Sequence, residues 1–96
     1  MKLTKEETRF ILNTAAARLQ DAYSYYETEE YLTACVCIGE ARGFLDIVIS
    51  APFFLHSSNI TMKEEWENLM QEADRIKDLI ERDLRIMYKV PQSVLL

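Results

Sequence analysis

Residues 31–51 read YLTACVCIGEARGFLDIVISA, and the fold turns on how this stretch is paired. At 100° per residue one side of a helix collects Tyr31, Ala34, Cys37, Ile38, Ala41, Phe44, Leu45, Val48 and Ile49. The reverse side collects Leu32, Val36, Gly39, Gly43 and Ile47. A helix apolar on both sides has to be covered on both sides, so the segment reads as the central element of a helical bundle. Its cover is either the other two helices of the chain or a second subunit. Pro52 ends it, because the residue before a proline is pushed out of the helical region.

Upstream, Thr4-Lys5-Glu6-Glu7 has the form of a capping box, with acid in the first turn where the helix dipole favours it. Behind it, Ile11, Leu12, Ala15, Ala16, Leu19, Ala22, Tyr23 and Tyr26 share one side, while Phe10 points away from them with Ala17 and Asp21. Thr28 is placed at the start of the next helix, with Glu29 and Glu30 in its first turn. Downstream, Thr61-Met62-Lys63-Glu64 reads as another capping box. It is followed by a stripe of Met62, Trp66, Leu69, Met70, Ala73, Ile76, Ile80, Leu84 and Met87. The expected fold is all-α: a three-helix antiparallel bundle in one domain over residues 1–96, with helices over 5–26, 29–51 and 62–89, in monomeric or dimeric form. At 1.5 Å per residue the third helix is about 40 Å long and outruns the others. The outrunning part leaves a second apolar strip near Leu79, Ile86 and Val90.

Two glycines and two prolines in 96 residues leave little punctuation for a chain of short strands. A net charge of −5 disfavours a phosphate backbone as partner unless the basic residues cluster. They do not: Arg75, Lys77, Arg82, Arg85 and Lys89 alternate with Glu72, Asp74, Asp78, Glu81 and Asp83, and their local fields cancel. Nucleic acid is therefore not an expected partner, although a helix-turn-helix variant is the third reading of the chain. The apolar run is broken by Glu40, Arg42 and Asp46, which argues against a membrane span. The charged start, Met1 to Glu7, does not read as a secretory signal, so the expected location is cytoplasmic. Cys35 and Cys37 lie about 200° apart on a helix, too divergent to pair or to share an ion.

Groups able to support catalysis are sparse. His56 is the single histidine, next to Ser57 and Ser58, with no orienting acid or oxyanion donors implied by that adjacency. No phosphate-cradling loop is present, and neither a metal nor another cofactor is expected. Glu40 is a charge set between Val36, Phe44 and Ile47 on the apolar second helix. It either marks a narrow exposed strip or forms a buried ion pair, with Arg9, Arg18 and Arg75 as possible cations and Arg18 the chosen one.

Three places are candidates for an interface. Gly39 and Gly43 each cost about 1 kcal/mol of helix propensity relative to alanine. One turn apart, they flatten the Leu32/Val36/Ile47 side, either for close packing against the third helix or for a subunit or partner. Phe53 and Phe54 place large apolar groups in a loop, either as a plug under the bundle or as a sticky surface. Leu79 and Ile86 form the third.

Leu19-Gln20-Asp21-Ala22-Tyr23, continuing through Tyr31, Ala34, Ile38 and Ala41, resembles a single degenerate tetratricopeptide helical hairpin. Leu19 and Tyr23 match that family's first helix, and Ala34, Ile38 and Ala41 match the small–large–small spacing of its second. The family's glycine is Gln20 here, the connection is longer, and the match covers about a quarter of the chain. The resemblance implies a surface that binds peptide or protein. The functional expectation is thus a protein–protein interaction module without catalysis. Such a domain would suit an accessory or inhibitory role on a larger bacterial or phage machine, and the alternative is a self-associating homodimer.

Overall fold

A computed structural model describes residues 3–50 and 60–88 of the chain, without the side chains of Ile60, Met87 and Tyr88. Three helices follow one another: α1 (Lys5–Glu27), α2 (Tyr31–Ile49) and α3 (Ile60–Tyr88). They run up, down and up. Arg9 near the start of α1 is ion-paired with Glu65 near the start of α3. Arg42 towards the end of α2 is ion-paired with Asp74 in the middle of α3. This is the three-helix bundle that the periodicity predicts.

Helix α1 starts as its sequence requires. The Thr4 hydroxyl accepts from the Glu7 amide at 3.1 Å, and the Glu7 carboxylate accepts from the Thr4 amide at 2.9 Å. These bonds, the backbone one first, hold the Glu7 carboxyl below the usual carboxylate range. The far end departs from the sequence reading. Thr28 closes α1 rather than opening α2, and its hydroxyl donates to the Tyr25 carbonyl at 3.1 Å. The Glu29 amide donates to the Tyr26 carbonyl at 3.0 Å, and the Glu30 amide to the Tyr25 carbonyl at 2.8 Å. These are the paired bonds of a Schellman motif, and they turn the chain at Glu29, whose φ is 62°. An L-residue in that region gives up about 1 kcal/mol, and glycine usually stands there. Helix α2 consequently begins at Tyr31, two residues later than 29. Tyr23, Tyr26 and Tyr31 stack in series across the reversal, with ring centroids 5.8 and 6.2 Å apart.

The seam between α1 and α2 is the most extensive contact in the molecule. Ala15 and Ala22 on one side, and Ala34 and Ala41 on the other, have no exposed surface. Small side chains at these four places let the two backbones approach. Leu12, Leu19, Ile38, Leu45 and Val48 fill the space around them. Thr8 is fully buried too, and its hydroxyl donates to the Thr4 carbonyl at 2.8 Å, which satisfies the polar group. Helix α3 closes the bundle with Met62, Ala73, Ile76 and Ile80. The indole Nε1 of Trp66 donates to the Leu45 carbonyl of α2 at 2.9 Å. Thr61 does not cap this helix, because α3 is already helical at Ile60 and Thr61 lies within its first turn.

Candidate interaction surface

Among the described residues, helix α2 is covered on one side only. Ala34, Cys37, Ile38, Ala41, Leu45 and Val48 are buried. On the reverse side Leu32 is 81% exposed, Val36 53% and Ile47 38%. Gly39 and Gly43 are exposed between them, and a Cβ built on either glycine would meet no atom within 4 Å. This overturns one of the two readings of the glycines: α3 does not pack against them. The geometric reason is that α1 and α3 both dock on the other half of α2. The stripe from Leu32 to Ile47 is about 22 Å long at helical rise.

Ion pairs rim this stripe on both sides. Towards α1, Arg18 Nε lies 3.5 Å from a Glu40 oxygen. The expected partner is therefore present, but the pair is not buried, since each side chain is close to half exposed. Arg18 also reaches Asp21 at 3.5 Å. Glu40 thus marks the polar border of an open face, where water keeps its charge inexpensive, and it does not lock helix register from inside. Towards α3, Arg42 pairs with Asp74. A shallow groove of about 240 Å³ runs beside that pair, lined by Cys35, Ile38, Gly39, Arg42 and Lys77. Of the two free cysteines, Cys35 is exposed in this groove and Cys37 is buried in the core. Desolvation and then the Glu81 carboxylate raise the Cys35 thiol above its usual pKa. Burial, followed by Asp21 and Glu40, raises that of Cys37.

The remaining sequence candidates are placed less favourably. Ile86 is 69% exposed, but Leu79 is half-buried, so the two do not form one open strip. Phe10, 70% exposed, stands apart on α1, as its off-stripe position predicts. Single exposed apolar side chains of this kind are ordinary on a protein surface. Phe53, Phe54, His56 and Val90 lie outside the described residues. The other arginines weighed as partners of Glu40 are engaged elsewhere. Arg9 pairs with Glu65, and Arg75 grips Glu72 through Nε at 2.9 Å while its guanidinium stands 5.3 Å from the Tyr23 ring centre. Arg75 and Tyr23 line a groove of about 540 Å³ over Ala16, Leu19 and Leu69 between α1 and α3. Neither this groove nor the Tyr23–Arg75 stack was singled out from sequence. The signal was there in two facing helix flanks of matching height, but a wheel drawn for one helix does not show which flank of another it meets.

Among the described residues no three His, Cys, Asp or Glu side chains gather closely enough to hold a metal ion. No described helix is long and apolar enough to cross a membrane. Comparison of the chain with known protein families, with curated proteins and with solved structures returns no match.

Proposed function

We propose that this chain is a cytoplasmic protein–protein interaction module, acting by binding and without catalysis, whose contact surface is the outward face of α2. The observation that carries this reading is the contiguous run Leu32, Val36, Gly39, Gly43, Ile47, apolar and, among the described residues, uncovered along the length of the helix. Contiguity matters here: burying a Leu and a Val contributes about 1.5–3 kcal/mol each, which a partner recovers only where the groups lie side by side. The borders formed by Arg18–Glu40 and Arg42–Asp74 fit the polar rim that surrounds an apolar interface centre. A role as an accessory or inhibitory subunit of a larger machine is compatible with so small a scaffold, and it rests on analogy of class alone.

The test is the pair Leu32→Glu/Val36→Glu, compared with the unaltered chain in extracts of cells that express it. Both positions are exposed, so helicity and the melting temperature of the dilute chain should be unchanged. The unaltered chain should elute in a complex well above its own 11.2 kDa, and the variant should elute alone. A variant that keeps the complex would refute this face as the contact surface.

A further inference from the structure

On the reading that the outward face of α2 is a contact surface, we infer that its occupant is a second copy of this chain, with α2 crossing its counterpart at Gly39 and Gly43. The glycines are the first reason. They lie one turn apart inside a continuous helix, and none of the described residues approaches the space a Cβ would take. None of the described residues uses their capacity for close approach. A second helix laid across them gains contact with bare backbone, and α2 itself offers the same hollow in return.

The second reason is the order of residues along the stripe. About the midpoint at Ala41, Val36 lies five positions to one side and Ile47 six to the other. A two-fold axis through that midpoint, perpendicular to the helix, sets Val36 of each copy against Ile47 of the other and the glycine hollows face to face. The pattern is self-complementary, as an isologous interface requires.

Charge supplies the third reason. The chain carries −5 and repels itself at long range. Around this face, however, Arg18 offsets Glu40 and Arg42 offsets Asp74. Asp46, exposed at one end of the stripe, has no such offset among the contacts described above. In the antiparallel arrangement the two Asp46 residues stand about 15 Å apart at helical rise, beyond the screening length of about 8 Å in physiological salt. A parallel arrangement would bring them together. A single helix face is small beside the roughly 800 Å² per partner of a standard interface, which places the dimer among weak, concentration-dependent associations.

Sedimentation of the purified full chain across the micromolar range tests this, with two variants beside it. The mass should rise from 11.2 kDa towards twice that value with concentration. Leu32→Glu/Val36→Glu should remain at the monomer mass. Gly39→Ala/Gly43→Ala should raise the melting temperature of the dilute monomer yet weaken the dimer about tenfold or more, because added methyl groups hold the helices apart. Opposite signs from one pair of substitutions cannot come from a folding defect. A mass fixed at 11.2 kDa throughout would overturn the second-copy inference; if the complex in extracts were still lost with Leu32→Glu/Val36→Glu, the α2 face would survive with a different occupant. A dimer indifferent to Leu32→Glu/Val36→Glu, or one strengthened by Gly39→Ala/Gly43→Ala, would also overturn it.

Discussion

The two sides of α2 are both apolar and meet opposite fates. The inner side carries Ala34 and Ala41, which, like Ala15 and Ala22 of α1, have no exposed surface in the core that α1 and α2 share. The outer side places two still smaller residues, Gly39 and Gly43, against open space. Small residues on the inner side are explained by what touches them. On the outer side the same kind of residue meets none of the described residues, and the helix carries the propensity penalty of both glycines without recovering it there. Apolar content therefore does not identify the core of this helix; only the direction from which α1 and α3 arrive does.

Substitutions can break the comparison or sharpen it. Leu45, fully buried on the inner side, should cost about 2–5 kcal/mol when changed to alanine, whereas the same change at Leu32 should lie within about 0.5 kcal/mol of zero. Thermal or urea unfolding of the dilute chain measures both, and equal losses would mean that the outer side is covered after all. Next in size is thiol chemistry. Cys35 should react with a maleimide-type reagent about a hundredfold faster than Cys37, which is reached only through local opening. Because both thiols have raised pKa values, thiolate is scarce at neutral pH, and the Cys35 rate should keep climbing as pH rises past the ordinary thiol range. Mass spectrometry of the labelled chain gives the ratio and the pH profile together.

Smaller changes follow. With open space above each glycine, Gly39→Ala and Gly43→Ala should each stabilise the monomer by up to about 1 kcal/mol, the helix-propensity difference itself. A loss would reveal a neighbour that crowds the position. Least of all, Arg18→Gln should cost about 0.5 kcal/mol or less, and salt should erase even that, since the Glu40 pair is half exposed. A loss of several kcal/mol would point to the buried ion pair expected from sequence.

Much of this was legible before any coordinates. The stripes of α1 and α3 repeat every three and four residues, and the buried apolar positions of both helices (Leu12, Ala15, Leu19 and Ala22; Met62, Ala73, Ile76 and Ile80) all lie on them, while Ile11, Ala16, Tyr23, Tyr26, Trp66, Leu69, Met70 and Leu84 on the same stripes are half-buried. Periodicity works there because each helix has a single apolar side. It fails on α2, where both sides are apolar and only tertiary contact chooses between them. Thr8 escaped because a hydroxyl scores as polar, although it lies one turn before Leu12 on the same side and finds its acceptor locally in the Thr4 carbonyl. The reversal at Glu29 escaped because glycine signals the left-handed turn, and here a glutamate adopts it under the constraint of the Schellman bonds. The bond from Trp66 to the Leu45 carbonyl joins residues 21 positions apart and has no local signature. For the candidate surface, the residues of the stripe were visible in the sequence, while its exposure was not.

The most direct test of the central claim is a photo-crosslinking residue placed at Val36 in living cells, with the same residue at Asp78, exposed on α3, as the control. Protein adducts at position 36 and few at 78 are the expected result, and an adduct of twice the chain mass would identify the second copy. Irradiation that leaves position 36 without adducts, or labels both positions alike, would contradict the assignment of the outward face of α2 as the surface through which this protein acts.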